Sequence, residues 1–229
     1  MKDPYILENG TLKNLLGISS YEKLKQAEAD ITYVKLIDSE KNINATNNIE
    51  LFKSIHKHIF EDIFEWAGEF RTVPIYKREI VIPGVSLEYA KPKDIKRLLN
   101  KNMDDLNNIN WKDLSIDEIS KQFTYYLAKI WRVHPFRDGN TRTTLTFANI
   151  FAKQHGFDMD ISVMLNELNR VYDPKTNRVV RYSVRDKFVL AALDEKDYPE
   201  PQALEAVIKH AIKCGINKKN TELNNMLER

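Results

Sequence analysis

The sequence predicts a mainly α-helical protein with one small β-hairpin, and three observations support this fold class. The chain of 229 residues contains 7 glycines, while 30% of its residues are charged. A β-sandwich or barrel would need more turns than this composition favours. Apolar residues recur every three or four positions in several stretches, as they do on one face of a helix. This spacing disappears between residues 72 and 83, where β-branched residues dominate.

The amino-terminal part, residues 1–46, is predicted to contain an irregular arm followed by a helix. The arm holds three leucines that are available to dock on a neighbouring element: Leu12, Leu15 and Leu16. Ser20 is a preferred helix cap, and apolar residues from Leu24 to Leu36 follow it at helical spacing. The polar, asparagine-rich residues 38–48 are predicted to form a loop.

A second helix is predicted to end in the sequence Trp66-Ala67-Gly68. Its apolar residues share one face: Leu51, Ile55, Ile59, Phe60 and Ile63. Thr46 or a neighbouring asparagine is expected to cap its start. His56 and His58 lie on this helix two positions apart and therefore point in different directions. A metal ion shared by these two histidines is not expected.

Residues 72–83 are predicted to form the β-hairpin. Val73, Ile75, Ile80 and Ile82 lie on either side of a charged centre at residues 77–79. From the residues alone, an ordinary surface hairpin is the simplest interpretation.

The remaining chain is predicted to be helical with short turns. Helices are expected at 92–107, 115–132, after residue 140, 160–170 and 179–194. Pro92 suits the first position of a helix, and Gly156 suits the position just after one. The DPKTNR sequence is predicted to be a turn. The charged residues 206–229 are predicted to form a helical tail, either loosely docked or frayed.

The residues best suited to catalysis lie between Val133 and Leu145, in the sequence VHPFRDGNTRTTL. His134 is a base whose ordinary pKa is about 6.5. Asp138 offers oxygen ligands for a magnesium ion that already carries phosphates. Gly139 permits a sharp turn, and Asn140 is a preferred helix cap. The N–H groups of the following helical turn and Arg142 would then form an anion site. Taken singly, each residue is more typical of ordinary turn chemistry.

Together, these residues closely resemble the HPFx(D/E)GNGRxxR signature of Fic-domain proteins. The matching positions are His134, Pro135, Phe136, Asp138, Gly139, Asn140 and Arg142. Thr141 replaces the second glycine, and Leu145 stands where the last arginine is expected. A second stretch, IHKHIFEDIFEWAGEFRT, resembles the first core helix of the same family. The resemblance covers roughly residues 47–205, which we predict to be the Fic core, and it implies a helical Fic fold.

The resemblance implies the transfer of AMP from ATP to a protein hydroxyl group. His134 would be the catalytic base, and Asp138 would bind Mg²⁺. Gly139, Asn140, Thr141 and Arg142 would bind the nucleotide phosphates. Phe136 would be a buried anchor for the turn.

In this family the hairpin is a flap over the active site that pairs with a segment of the target protein. The resemblance therefore implies that Ile75, Tyr76 and Lys77 dock the target. The two departures from the signature leave other functions open. One is a Doc-like protein kinase that transfers a phosphoryl group, and another is a Fic fold that binds a nucleotide or partner without turnover.

Restraint of the enzyme is expected from a separate antitoxin. Family members that restrain themselves carry a helix with Ser or Thr four residues before a glutamate, which is followed by Gly or Asn. Only Thr46 and Glu50 have the first spacing, and Leu51 follows Glu50. The amino-terminal arm is also similar to that of small bacterial Fic toxins.

Charge and composition bound the partners and the compartment. The net charge is +2, from 35 basic and 33 acidic residues, so nothing favours nucleic acid or anionic lipid as a partner. A single cysteine, Cys214, no membrane-length apolar stretch and no recognisable secretion signal predict a cytoplasmic protein. The sequence does not indicate an oligomeric state.

Overall fold

The computed structural model describes residues 3–42, 48–77, 79–82, 87–197 and 199–227. It confirms a mainly helical fold with one small antiparallel hairpin. The helices are α1 (Tyr21–Asn42), α2 (Ile49–Phe60), α3 (Ile95–Asn107), α4 (Ile116–Val133), α5 (Asn140–Gln154), α6 (Ser162–Leu165), α7 (Val184–Ala191) and α8 (Gln202–Leu227). The strands are β1 (Val171–Tyr172) and β2 (Val179–Arg181).

Helix α5 lies at the centre of the fold, and most of its residues are buried. Helix α2 packs on it from one side and α4 from another, while α3, α7 and α8 pack on α4. Aromatic rings fill the space between these helices: Phe52, Phe123, Phe136, Phe147 and Phe151 are all buried. The turn that joins α4 to α5 is therefore supported by the hydrophobic core.

Local sequence signals fix the starts of two helices that frame this turn. Asn48 caps α2 by accepting hydrogen bonds from the N–H groups of Glu50 and Leu51. This agrees with the asparagine cap that was predicted; the alternative, Thr46, lies outside the described residues. Ser115 and Glu118 form a capping box at the start of α4.

Several predicted boundaries are wrong. Helix α1 continues to Asn42, beyond the loop predicted to start at residue 38, and residues 43–47 lie outside the described part of the chain. Helix α2 ends at Phe60, because the chain turns back so that the Gly68 N–H group can bond to His56. Helix α6 spans only Ser162–Leu165 of the residues 160–170 that were predicted to be helical.

The hairpin lies at a different place from the one predicted. None of the described residues between 72 and 82 is in a strand, and Pro83 of this prediction lies outside the described residues. Pro74 cannot donate to a strand ladder, and the Val73 carbonyl accepts from the Arg71 side chain instead. The two strands flank the predicted DPKTNR turn. Residues 179–181, predicted to be helical, are strand β2, because the Ser183–Asp186 capping box starts α7 at Val184.

The described part of the predicted carboxy-terminal tail belongs to helix α8, which is docked on the rest of the fold. Leu204, Ile208 and Ile212 are buried on one of its faces, and the face also includes Gly215. A Cβ atom on Gly215 would lie 2.6 Å from the Asp158 backbone, so α8 can approach Asp158 this closely only because residue 215 is glycine. Within the described part of the chain, no helix is long and apolar enough to cross a membrane.

Candidate active site

The turn between α4 and α5, residues 134–142, brings the predicted site residues together; we call it the signature turn. His134 ends α4 in the left-handed conformation, with φ of 49° and ψ of 58°. Gly139 also has a positive φ, 75°. A Cβ atom on Gly139 would lie 2.3 Å from Phe60 Cε2, so both the backbone angle and the packing require glycine.

Phe136 and Asn140 hold the two sides of the signature turn together. Phe136 is fully buried, and its ring stacks on that of His56 at 3.8 Å between centroids. The Asn140 side chain accepts from the Phe136 N–H group and donates to the Phe136 carbonyl, both at 2.9 Å. The predicted capping role of Asn140 is therefore wrong, because its side chain is used across the turn. The N-cap residue of α5 is Gly139, which has no side chain that could cap the helix.

His56 supports the signature turn, a role that the sequence analysis did not assign. Its Nδ1 atom accepts from the Gly68 N–H group at 2.8 Å, so the ring proton is on Nε2. Nε2 in turn lies 3.1 Å from the Asp138 carbonyl oxygen and donates to it. Burial lowers the pKa of His56 to about 3, so the ring is neutral. The position of His56 on the apolar face of α2 could have indicated this supporting role from the sequence.

Arg71 is a second support that the sequence analysis did not single out. Its side chain is almost fully buried, with 2% of the residue exposed. It donates to the carbonyls of His134 and Val73, each at 2.8 Å, and also to that of Ala90. Burial lowers the pKa of Arg71 to about 10, still well above neutrality. The buried Arg71 side chain thus joins the strained end of α4 to Val73 and Ala90.

His134 has the protonation state that a general base requires. Its Nδ1 atom lies 3.3 Å from the Trp131 carbonyl, which fixes the proton on Nδ1 and leaves the lone pair on Nε2. Nε2 is buried and has no hydrogen-bond partner in the described part of the chain. Burial, followed by the charges of Lys77 and Arg185, holds the pKa of His134 well below its usual value. The ring stacks on Tyr89 at 4.1 Å.

A cavity of about 420 Å³ lies beside the signature turn. Its volume is in the range of small-molecule sites. The residues that line it come from the signature turn, α1, α7, residue 77 and the stretch from Leu165 to Asn169. Leu36, Leu165 and Leu168 give one side an apolar character, while the signature turn makes the other side polar.

Asp138 is an ionised carboxylate at the edge of this cavity. Its Oδ1 atom accepts from the Gly139 N–H group at 2.7 Å. Burial opposes ionisation, but the positive charges of Lys77 and Arg142 and this hydrogen bond lower the pKa of Asp138. Among the described residues, no group of three or more histidine, cysteine, aspartate or glutamate side chains could hold a metal ion. A metal ion here would need oxygen ligands from a substrate as well.

Arg142 is already paired with α1. It forms a salt bridge with Glu28 and donates to the Thr32 hydroxyl at 2.8 Å. Its guanidinium lies 4.7 Å from the centre of the Phe60 ring. Burial raises the pKa of Glu28, while the charge of Arg142 acts in the opposite direction. The sequence search missed Glu28 because Leu24 lies four residues before it and Ala29 follows it.

With this geometry in place, comparison with known proteins identifies the domain. Residues 46–152 match the Fic/DOC family model. The chain contains a Fic/DOC family domain.

Similar proteins are consistent with this assignment. The chain is 30% identical to protein adenylyltransferase VbhT from Bartonella schoenbuchensis over 69% of this chain and 32% of that protein. It is 26% identical to the probable protein adenylyltransferase Fic of Escherichia coli over 69% of this chain and 76% of that protein. The chain therefore spans about a third of VbhT.

Solved structures share the fold. The N-terminal Fic domain of a putative cell filamentation protein from Bartonella quintana has a TM-score of 0.71 and 21% identity, covering 98% of this chain and 97% of that one. The BepC protein of Bartonella tribocorum, solved with bound AMPPNP, has a TM-score of 0.69 and 21% identity, covering 90% and 95%.

The two departures from the Fic signature have different surroundings. The Thr141 hydroxyl accepts a hydrogen bond from the Trp131 indole at 3.0 Å, so the side chain is held at the cavity wall. Leu145 is fully buried in the hydrophobic core. Position 145 therefore supplies no charge to the cavity of this Fic domain.

The three residues predicted to dock a target do not share one surface. Lys77 lines the cavity next to His134 and Asp138. Ile75 and Tyr76 instead line a separate groove together with residues 87–93. Tyr76 is 89% exposed. Ile80, in the same stretch, is also 61% exposed.

Proposed function

We propose that this Fic domain transfers AMP from ATP to a hydroxyl group of a target protein. The observation that carries the proposal is the neutral His134, whose unpartnered Nε2 atom is buried beside a cavity lined by Asp138 and by residues 139–142. The naming of VbhT and E. coli Fic as adenylyltransferases gives the reaction class. Because the chain spans only part of VbhT, the proposal of this activity is argued from the site residues of this chain.

His134 would start the reaction by accepting the proton of the target hydroxyl on Nε2. The hydroxyl oxygen forms a bond to the α-phosphorus of ATP as the bond to the β-phosphate bridging oxygen breaks. Pyrophosphate leaves with the electron pair of that bond, and the proton remains on His134. The N–H groups at the start of α5 and the Arg142 side chain would stabilise the charge that develops on the phosphate oxygens.

Asp138 is suited to hold a magnesium ion that arrives with ATP. It is ionised and lines the cavity, and a nucleotide-bound magnesium ion needs only one or two protein carboxylates because phosphate and water supply its other ligands. When bound, magnesium would offset negative charge on the phosphates. Lys77 and Arg142 lie close enough to Asp138 to lower its pKa, so cations already act on this carboxylate.

Restraint from within the chain would act on Arg142. The sequence analysis expected a separate antitoxin, and that expectation stays a prediction. The pairing of Glu28 with Arg142 supports restraint from within the chain instead, because the phosphates of ATP would compete with the Glu28 carboxylate.

The target protein would approach along the groove formed by Ile75, Tyr76 and residues 87–93. Residues 74–77, which belong to no helix or strand, would supply N–H and C=O groups for strand-like pairing. His134 is 1% exposed and its ring stacks on Tyr89, so neighbouring side chains would have to move before a hydroxyl group reaches Nε2.

Incubation of the purified protein with ATP and a cell lysate tests the reaction. Label on the α-phosphate that appears on a protein band supports AMP transfer. Label transferred only from the γ-phosphate would instead support the Doc-like kinase alternative, which Thr141 and Leu145 left open. ATP binding without either label would leave a nucleotide-binding Fic domain. The His134→Ala protein is the control for contaminating enzymes.

A further inference from the structure

A second arginine, Arg185 on α7, lines the same cavity as His134 and Arg142. It lies outside residues 46–152, which match the family model. Its side chain is 27% exposed, so part of the guanidinium faces the open space. Leu145, by contrast, is fully buried in the core and contributes no charge.

The side chains that line the cavity carry more positive than negative charge. Four of them are cationic, Lys25, Lys77, Arg142 and Arg185, and two are carboxylates, Glu28 and Asp138. The difference, 4 − 2, is an excess of two positive charges. Such an excess in a partly enclosed cavity favours an anionic ligand with several charges.

Neighbouring side chains hold the Arg185 guanidinium in one orientation. Glu79, whose side chain is 1% exposed, accepts two hydrogen bonds from it at 2.7 Å each. The Tyr89 hydroxyl donates to the same carboxylate at 2.9 Å. A guanidinium has five N–H donors in a planar fork. Glu79 accepts two and the Tyr89 hydroxyl accepts a third at 3.4 Å, so two donors remain for a second anion.

Trp131 places this guanidinium near the signature turn. The Arg185 Cζ atom lies 5.9 Å from the centre of the Trp131 ring. The indole N–H group of Trp131 donates to the Thr141 hydroxyl in the first turn of α5. Arg185 and the amino terminus of α5, which carries the partial positive charge of its free N–H groups, are thus separated by one side chain, and both reach the cavity.

We propose that Arg185 binds phosphate oxygens of the nucleotide and is a second phosphate-binding arginine, besides Arg142, in this Fic domain. The proposal rests on the proposed function, because it assigns a residue to the same substrate. A contact with the β- or γ-phosphate can be made by ATP but not by AMP, which lacks these groups. The preference of the protein for ATP over AMP depends on Arg185, whereas the affinity for AMP does not.

Three variants separate phosphate binding from the ion pair. Glu79→Gln removes the carboxylate and keeps Arg185. The double variant Glu79→Gln/Arg185→Met removes both charges, which avoids leaving a buried carboxylate without a partner. A matched control is Glu167→Gln/Lys187→Met. It removes an ion pair with side chains 20% and 12% exposed, which also involves α7 but does not line the cavity.

The affinities for ATP and AMP are measured by calorimetry in the presence of Mg²⁺. We expect the unmodified protein and the control to prefer ATP to the same degree, and Glu79→Gln to prefer it at least as strongly, because the carboxylate that competes with the phosphates for Arg185 is gone. In Glu79→Gln/Arg185→Met the affinity for ATP falls roughly tenfold or more, as expected for the loss of hydrogen bonds to a charged group, and the affinity for AMP changes less than twofold. If the double variant does not unfold cooperatively, Arg185→Lys replaces it. This variant keeps the charge but loses the planar fork, and it should weaken ATP binding severalfold.

Two results would overturn the proposal. An unchanged ATP preference in the double variant, or in Arg185→Lys where that replaces it, means that Arg185 does not touch the phosphates. An equal loss of ATP affinity in Glu79→Gln and in the double variant means that Arg185 acts only through the ion pair. If the unmodified protein binds neither nucleotide, the proposed function fails together with this assignment. That outcome is distinct from the first two, in which ATP still binds.

Discussion

The signature turn and the elements that cover it are held in place by different kinds of contact. The signature turn is supported by the neutral ring of His56, by the Asn140 amide and by Arg71, and these side chains bond to backbone groups. The covering elements, which are α1 and the described residues between 72 and 82, contact the arginines of the site through ion pairs. Glu28 pairs with Arg142, and Glu79 pairs with Arg185.

We call the hydrogen-bonded signature turn the fixed side of the site, and the ion-paired covering elements its exchangeable side. Buried hydrogen bonds to backbone groups have no competitor in solution, so the position of His134 is independent of the substrate. An ion pair with a guanidinium has a direct competitor in a polyphosphate, which offers the same kind of oxygen ligand. The proposed base therefore lies on the fixed side, and the side chains that would compete with the phosphates lie on the exchangeable side.

The largest expected effect comes from His134, on the fixed side. His134→Ala should lower the rate of AMP transfer by at least about 10²–10⁴, because the hydroxyl group loses its base. ATP affinity should change little. His210→Ala, on the exposed face of α8, is the control. Rates of α-labelled ATP transfer and calorimetric ATP affinities measure both effects, and full transfer by His134→Ala would disprove the assignment.

His56 tests whether the fixed side depends on neutral hydrogen bonds. His56→Leu leaves the Gly68 N–H group and the Asp138 carbonyl without partners, at a cost of about 3 kcal/mol in the free energy of unfolding. His58→Leu, two positions along α2, is the control and should cost much less. Urea unfolding measures both, and an equal loss would mean that His56 gives no special support.

The pH dependence of stability gives a second test of His56. Its pKa is about 3 in the folded protein, below the ordinary value near 6.5, so the unfolded chain binds more protons between these values. Stability should therefore fall as the pH drops below about 6.5, by up to roughly 1.4 kcal/mol per pH unit from this residue. His56→Leu should show a flatter curve between pH 7 and pH 5. His134 changes stability in the same direction, so part of the slope remains in the variant.

Glu28 tests the exchangeable side. Glu28→Gln removes the charge that competes with nucleotide phosphates for Arg142, and ATP affinity should rise roughly tenfold. Glu22→Gln, at an exposed position in the first turn of α1, should have no effect. Calorimetry compares the two variants. An unchanged affinity in Glu28→Gln would show that the ion pair does not oppose binding and would favour restraint by a separate partner.

The smallest expected effect concerns the groove on the outer side of residues 72–82. Tyr76→Ala should raise the KM for the labelled target protein a fewfold, because an exposed aromatic contact is lost. ATP affinity should stay unchanged, since Tyr76 does not line the cavity. Tyr125→Ala removes another exposed tyrosine, on α4, and serves as the control. Equal KM values in both variants would contradict target docking at this groove.

The sequence by itself determined the helical fold class and most of the helices that frame the site. Periodic apolar residues and local caps such as Ser115 act over a few positions, so they can be recognised along the chain. The HPFRDGN sequence also indicated which residues form the site, because the turn is continuous in sequence. The requirement for glycine at position 139 was likewise predictable from the turn.

Only the tertiary structure decided which distant side chains act on that turn. His56, Arg71, Glu28 and Arg185 lie on four separate segments, and their contacts depend on how the helices pack. Packing also overrode the β-branched pattern of the described residues between 72 and 82, where Pro74 and the bonds to Arg71 and Arg185 replace a strand ladder. Buried polar groups must find partners wherever the fold places them, so local sequence could not determine these contacts.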